Sequence, residues 1–166
     1  MRRARPSPLL LTLKILTFTA IVPGSIIGWI PWLIVRSRPR PIVDWMRIET
    51  WFGVGLLAVG ASIYAHCAWH FGSRGRGTPA PVAPPRELVI SGLYRVVRNP
   101  MYVGVLLALI GDALIYRSSS VAIYAASMAA MFHLLIIGYE EPKLRRVFGP
   151  SFARYCESVY SVTRQG

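Results

Sequence analysis

The sequence predicts an all-α integral-membrane protein, a bundle of about four transmembrane helices that forms one domain over residues 1–166. Hydrophobic residues make up 54% of the chain, and a mean hydropathy of +0.45 is too high for an ordinary soluble domain. Four apolar segments approach or exceed the roughly 20 residues that a membrane-spanning helix needs. They run from about residue 9 to 35, 48 to 71, 101 to 116 and 120 to 139.

The first two segments form the N-terminal spans, residues 1–72. A basic leader resembles the start of a signal peptide, but Lys14 interrupts the apolar stretch and no clean cleavage site is seen after it. We therefore expect a retained first span. Pro23 and Gly24 are expected to kink or break it, because proline removes a backbone hydrogen bond.

The third and fourth segments, in residues 73–166, are predicted to form a helical hairpin. Before them, residues 72–86 are rich in proline, glycine and serine, which indicates a long irregular loop. Residues 87–91 are expected to be a short extended piece. Pro100 suits the first turn of the third helix, and residues 117–120 suit the tight turn of the hairpin.

The tail after the fourth segment is predicted to be an amphipathic cytoplasmic helix, broken near Gly149 and Pro150. Its apolar residues recur at helical spacing. They are Leu144, Val147, Phe148, Phe152, Tyr155 and Val159.

The net charge of +12 comes from 19 basic residues, 17 of them arginine, which lie mainly between the apolar segments. This placement fits a membrane protein and argues against a nucleic-acid partner. With four spans, 13 basic residues share the side of both termini and five lie opposite. The positive-inside rule then predicts the inner (cytoplasmic) membrane, with both termini and the 72–100 loop in the cytoplasm. Membrane lipids are expected contacts, and no obligate protein partner is evident.

Residues 92–104, GLYRVVRNPMYVG, place polar groups at the mouth of the third span. Asn99 suits the N-cap before Pro100. Free N–H groups at that helix start favour an anion such as a carboxylate. Tyr94 and Tyr102 either stack on a flat ring of a ligand or serve as interfacial aromatics, and the sequence leaves both alternatives open.

Two adjacent acids, Glu140 and Glu141, end the fourth span. A charge at membrane depth costs at least about 2.5 kcal/mol, so the default interpretation is functional. The hairpin should bring these acids close to Asn99, where anion-binding N–H groups and a carboxylate together suit a zwitterion. The alternative is that the two acids pair with Lys143, Arg145 or Arg146. Because Arg145 lies four residues after Glu141, pairing between these two is expected to make Glu141 at least partly structural.

Other polar residues in the spans have simpler interpretations. His66 and His70 are four residues apart, but no third ligand is evident, so no metal site is predicted. His133 is expected to line the pocket or to bond another helix. Asp112 is expected to pair with Arg117 or to face water.

The motifs at 92–104 and 140–155, the latter EEPKLRRVFGPSFARY, resemble the isoprenylcysteine carboxyl methyltransferase family and its phospholipid-methyltransferase relatives. The family pattern has Gly-x-Tyr, then Arg-His-Pro-x-Tyr-x-Gly, then Glu-Glu-x-x-Leu, in the same order. The resemblance covers about residues 86–156.

The resemblance implies an integral-membrane methyltransferase that uses S-adenosyl-L-methionine, with residues 73–166 as its cofactor-binding core. Its substrate would be a lipophilic small molecule, methylated at the carboxyl of a prenylcysteine-like or other lipid acceptor. The alternatives are a phospholipid amine N-methyltransferase and a non-enzymatic membrane scaffold. The implied catalytic residues are Arg98 and Glu141, and the implied cofactor-binding residues are Arg86, Glu87, Leu88, Val89, Tyr94, Asn99, Pro100, Met101, Tyr102 and Glu140.

The chain departs from the family pattern at two positions. Asn99 replaces a histidine. An amide forms hydrogen bonds but, unlike an imidazole, does not take up a proton near neutral pH. Ile136 stands where the carboxyl-methylating enzymes use an arginine near the substrate, which disfavours prenylcysteine. A carboxylate acceptor needs no base, whereas an amine or hydroxyl needs a proton acceptor. The candidates for that role are Glu141, His133, His66 and His70.

Overall fold

A computed structural model of the protein describes residues 8–37, 43–73 and 92–164, and all regular structure in these ranges is helical. Three helical runs are long and apolar enough to cross a membrane, and a fourth apolar helix is shorter. The three are Leu16–Val35, Ile48–His70 and Ser119–Phe148, and the shorter helix is Pro100–Ile115. The predicted all-α membrane bundle is confirmed.

The first span is one helical run with a widened turn in it. Helix α1 (Pro8–Gly24) leads into a π turn (Ser25–Trp29) and then into α2 (Ile30–Val35). Pro23 lies inside α1, so the chain stays helical through the predicted break. A π turn re-pairs backbone groups with one extra residue per turn, which accommodates a local disruption without ending the helix.

Helices α3 (Ile48–Ser73) and α4 (Pro100–Ile115) pack antiparallel and almost backbone to backbone. A Cβ atom added at Gly53 would lie 2.7 Å from the Gly111 carbonyl oxygen, and one at Gly60 would overlap the Gly104 carbonyl oxygen. Small residues at both crossing points let the two backbones approach. This contact fixes the start of α4 against the end of α3.

Helix α5 (Ser119–Leu135) completes the predicted hairpin with α4. The Val121 N–H donates a hydrogen bond of 3.2 Å to the Ser118 hydroxyl, which caps the helix. The core lies between α3, α4 and α5. Its buried members are Tyr64, Ala68, Val105, Leu109, Ala125, Met128 and Phe132.

A π turn (Ile136–Glu140) connects α5 to α6 (Glu141–Phe148), and α7 (Pro150–Arg164) comes next. The predicted break near Gly149 is confirmed, with a positive φ of 50° at that glycine. Phe152, Tyr155 and Val159 are buried as predicted. Val147 is 57% exposed and does not belong to the packed face.

The expectation for Asp112 is wrong. Its side chain is buried within α4, and the described residues contain no ion pair between it and Arg117. Asp112 lies one turn inside the helix among packed neighbours. Arg117 lies beyond the helix end, exposed, with a positive φ of 48°.

Candidate methyl-donor and lipid site

The polar turn before α4 is shaped by Gly92. This glycine has a φ of +64° and begins a 3-10 turn, Gly92–Arg95. A Cβ there would lie 3.2 Å from Nε2 of His66 and 3.7 Å from Nε2 of His70. Glycine is therefore required twice, by its backbone conformation and by the imidazoles behind it.

The same turn is tied to the tail through Tyr94. The Tyr155 hydroxyl donates a hydrogen bond of 2.6 Å to the Tyr94 carbonyl oxygen. Burial, and then the neighbouring Cys67 thiol, raises the pKa of Tyr94 well above its ordinary value, and burial also raises the pKa of Tyr155. Both phenols therefore stay neutral. The hydrogen bond between these two buried residues attaches α7 to the turn before α4.

Asn99 stands at the N-cap of α4, with φ −128° and ψ 64°, but its side chain makes no capping hydrogen bond. The backbone N–H groups of Tyr102 and Val103 instead donate to the Asn99 carbonyl oxygen, at 3.2 and 3.4 Å. The amide of Asn99 lines a cavity next to the helix start. The Asn99 side chain therefore does not act as the helix cap, and its role in binding a ligand stays a prediction.

The 92–104 motif and the two acids, Glu140 and Glu141, lie in contact, as predicted. The Tyr102 hydroxyl donates a hydrogen bond to Oε1 of Glu140. Nη1 of Arg98 donates to Oε1 of Glu141 at 2.8 Å, and each of these two side chains is 24% exposed. Because both bonds join residues about 40 positions apart, they close the open end of the α4–α5 hairpin.

The predicted partner of Glu141 was wrong. Within the described helix α6, Arg145 is exposed and forms no ion pair with Glu141, and Arg98 takes that place. The π turn before Glu141 changes the direction in which the first residue of α6 faces. The carboxylate therefore bonds across the hairpin instead of along its own helix.

A cavity of about 570 Å³ and another of about 510 Å³ lie along the α4–α5 pair. The smaller one adjoins the motifs, and its polar wall residues are Arg98, Asn99, Tyr102 and His133. Its apolar walls are Val96, Val97, Val103, Leu106, Ala129, Phe132, Ile136 and Val159. This volume falls within the range of small-molecule sites. We call it the motif cavity.

The larger one, which we call the outer cavity, runs along the halves of α4 and α5 that adjoin the hairpin turn. Its α5 wall consists of small residues, Ser119, Ala122, Ala125, Ala126 and Ala129. It shares Leu106 and Ala129 with the motif cavity, so the two adjoin. Together the two cavities form a largely apolar groove that extends from Arg98 and Asn99 to the hairpin turn.

The remaining predicted site residues divide into three groups. Pro100 is buried and Met101 packs against the core, so neither lines the motif cavity. The ring of Tyr102 stacks on Phe132 at 4.5 Å, so one of its faces is already covered. Arg86, Glu87, Leu88 and Val89, with the predicted 74–91 part of the loop, lie outside the described residues.

Sequence reasoning missed several wall residues. Val96 and Val97 lie inside the recognised motif but were given no role. Val159 belongs to the amphipathic pattern of the tail, which could have indicated an inward-facing residue. Phe132 carries no such signal, because its stacking on Tyr102 depends on how the two helices are rotated.

The geometry fits the groups of S-adenosyl-L-methionine that carry charge. An amide at a helix start suits its carboxylate, and the adjacent acids suit its cationic groups. Glu140 accepts a hydrogen bond from Tyr102, and a carboxylate has about four lone-pair sites, so it has capacity for further donors. The predicted roles of the individual residues in binding and catalysis stay predictions.

Comparison with known proteins agrees with this geometry. The sequence model of the phospholipid methyltransferase family matches residues 48–151, from the start of α3 to the first turn of α7. Over 74 residues the chain is 35% identical to Protein-S-isoprenylcysteine O-methyltransferase A of Arabidopsis thaliana. That alignment covers 45% of this chain and 38% of the length of the relative. No solved structure matches. Since the family match includes most of the chain, with both the 92–104 motif and the two acids, the chain belongs to the phospholipid methyltransferase family.

Proposed function

We propose that the protein transfers a methyl group from S-adenosyl-L-methionine to a lipophilic acceptor within the membrane. The observation that carries this proposal is the closed corner at the motif cavity, where Arg98 bonds Glu141 and Tyr102 bonds Glu140. This corner places a pair of acids next to the helix start at Asn99. The family match supports the same chemistry.

The methyl donor would be held by its charged ends. Asn99 is positioned to donate to a carboxylate, and Glu140 to oppose a cation. When bound, the sulfonium supplies an already activated methyl group. The protein therefore contributes mainly positioning and the exclusion of water. Apolar wall residues such as Val97, Phe132 and Val159 exclude water from the motif cavity.

The acceptor would enter sideways from the bilayer and lay its apolar chain in the outer cavity. That cavity adjoins the motif cavity through Leu106 and Ala129, and its alanines leave room for a chain. Along α5, the 14 residues from Ser119 to Phe132 span about 20 Å at 1.5 Å per residue. The reacting group would then lie beside Asn99, at the cytoplasmic end.

Two acceptor classes are candidates. The name of the Arabidopsis relative names a carboxyl of isoprenylcysteine, and the family name points to phospholipids. Ile136 lies in the wall of the motif cavity and offers no charge to an acceptor carboxylate. This favours a lipid amine or another acceptor over prenylcysteine.

The proposed location is the inner (cytoplasmic) membrane, with the site on the cytoplasmic side. The basic residues around the site support it, since Lys143, Arg145 and Arg146 all come after the acids on α6. Membrane lipids and the lipophilic acceptor are the only partners this proposal requires.

The test uses full-length protein in lipid nanodiscs. Binding of S-adenosyl-L-methionine is measured by calorimetry, and methyl-labelled donor is then incubated with extracted membrane lipids. We expect binding and a labelled lipid fraction. Glu140→Gln should abolish both, whereas Glu157→Gln, an exposed acid on α7, should change neither. Binding without any transfer would support the scaffold alternative, and absence of binding would contradict the proposal.

A further inference from the structure

We propose that His133 takes the proton of the methyl acceptor, and that the acceptor atom is therefore an amine nitrogen or a hydroxyl oxygen. This inference rests on the proposed function, and it names the substrate class and a further catalytic residue for the same site.

The chemistry of the cavity wall leads to this residue. Among the described wall residues, four carry polar side chains: Arg98, Asn99, Tyr102 and His133. A guanidinium stays protonated, and an amide is not a base at neutral pH. The Tyr102 hydroxyl already donates to Glu140. A neutral imidazole offers one nitrogen that accepts a proton near neutral pH, so His133 is the group suited to the task.

The other candidate bases are placed less well. Glu141 is held in the ion pair with Arg98, and Glu140 accepts the hydrogen bond from Tyr102. His66 and His70 lie behind Gly92, with ring centroids 4.4 Å apart, and neither lines the motif cavity. The described wall residues allow one competing route, in which the acceptor proton passes to the Tyr102 hydroxyl while Tyr102 gives its own proton to Glu140.

His133 lies where a base would serve a lipid head group. It is on α5 one turn before Ile136, in a helical run of membrane length. Its side chain is exposed and lines the motif cavity, in which Arg98 is the charged residue of the described wall, and Glu140 and Glu141 follow α5 along the chain. An ionisable side chain in a membrane-length helix has a functional role as its default interpretation.

The transfer conserves protons and electron pairs. The lone pair of the acceptor nitrogen or oxygen forms a bond to the methyl carbon of the donor. The carbon–sulfur bond breaks with its electron pair on sulfur, which leaves a neutral thioether. The acceptor proton passes to the imidazole of His133 and then to water at the cytoplasmic end. A lipid ammonium would lose a proton to His133 before the attack. A carboxylate acceptor has no proton to lose, so His133 would be idle with it.

The principal test compares His133→Gln with Ser127→Gln. Ser127 lies on the same helix, exposed and outside both cavities, so it controls for adding glutamine to α5. Initial rates are measured from pH 5.5 to 9 with a lipid amine and with a prenylcysteine carboxylate. His133→Gln should slow methylation of the amine by about 100-fold and remove the increase of the rate with pH. Ser127→Gln should keep both rate and pH profile.

Two further measurements do not depend on turnover. Calorimetry should show that His133→Gln binds S-adenosyl-L-methionine within about twofold of the unsubstituted protein, since His133 is not assigned to the donor. The chain has three histidines, so ¹⁵N-histidine spectra can be assigned by loss of one signal in the variant. The His133 signal should shift when a lipid amine is added without donor. If His133→Gln does not fold, His133→Ala with added imidazole replaces it, and restored rate supports the base.

The outcomes separate this inference from the proposed function. Unchanged rate and pH profile in His133→Gln, with donor binding and lipid labelling intact, would refute His133 and leave the methyltransferase standing. If Tyr102→Phe removes the pH dependence of the rate and His133→Gln keeps it, the acceptor proton leaves through Tyr102 and Glu140 instead of His133. Transfer to carboxylate acceptors alone would refute the substrate class. Failure of the unsubstituted protein to bind donor would refute the proposed function itself.

Discussion

Arg98 and Glu141 form an ion pair of 2.8 Å between the turn that precedes α4 and the first residue of α6. The pair connects two sequence motifs that are 43 residues apart. It limits the width of the motif cavity at the open end of the α4–α5 hairpin, because Arg98 is itself a wall residue.

Replacing either member of this pair should remove the ion pair. We expect Arg98→Gln and Glu141→Gln each to lower the free energy of unfolding. The double variant should lower it by less than the sum of the two single effects. Since each side chain is 24% exposed, we expect a coupling of about 1 kcal/mol, toward the value for exposed pairs. Denaturant unfolding in detergent measures it. Additive losses would show that the pair contributes no interaction energy.

Tyr102→Phe removes the hydrogen bond to Glu140 but keeps a ring that stacks on Phe132. Hydrogen bonds to charged groups contribute about 1.5–3 kcal/mol, so donor affinity should fall about tenfold or more if this bond orients Glu140. Calorimetric titration gives the affinity. The control is Tyr139→Phe, which loses an exposed hydrogen bond from Lys143. Equal affinity in both variants would contradict an orienting role for Tyr102.

Gly60→Ala should destabilise the α3–α4 contact, because its Cβ would overlap the Gly104 carbonyl oxygen. Overpacking of this kind costs about 1–3 kcal/mol. Gly55→Ala is the matched control, since no atom lies within 4 Å of a Cβ at that position. Unfolding curves of the two variants compare the sites. Equal stability of Gly60→Ala and Gly55→Ala would show that α3 and α4 can move apart at Gly60 without loss of stability.

Ala126→Phe should shorten the acceptor chain that the protein accepts. The added ring would fill the outer cavity and leave the motif cavity, of which Ala126 is not a wall, unchanged. Rates with a series of acceptors of increasing chain length should fall for long chains only, with donor affinity unchanged. Ala130→Phe, exposed on α5 outside both cavities, should keep the original chain preference. An unaltered preference in Ala126→Phe would place the chain elsewhere.

The buried tyrosines predict sensitivity to high pH. Burial raises the pKa of Tyr155 above its ordinary value of 10.0. The unfolded chain therefore releases this proton first, and stability falls as pH rises above about 10. Tyr155→Phe removes one such proton and should flatten the decline by at most about 1.4 kcal/mol per pH unit. Unfolding free energies between pH 8 and 11 test this. An unchanged slope would show that Tyr155 does not contribute.

Much of the architecture can be predicted from the sequence. Apolar length predicts the spans, and Pro100 predicts where α4 begins. A short turn between two helices makes them antiparallel, so the meeting of the 92–104 motif with Glu140 and Glu141 is also predictable. These features depend only on local composition and on the order of elements.

The partners of individual side chains cannot be predicted in the same way. The i,i+4 rule favours Arg145 for Glu141, but each residue inserted in a helix rotates the next part of that helix by about 100°. The π turn Ile136–Glu140 contains such an insertion, and no residue pattern indicated it. The stacking of Phe132 on Tyr102 likewise depends on helix rotation, which packing of the whole bundle decides.

The close glycine contacts between α3 and α4 restrict the movement of these two helices against each other. Where backbones touch, as at Gly60 and Gly104, any sliding drives a carbonyl into a Cα atom. Helix α5 meets α4 through side chains, which can change rotamer as the gap widens. We therefore expect relative movement in the bundle to be concentrated in α5, and Glu140 and Glu141 to move with it. In the proposed function, the movement of α5 that admits a lipid would therefore also weaken the contacts of Glu140 and Glu141 with the methyl donor.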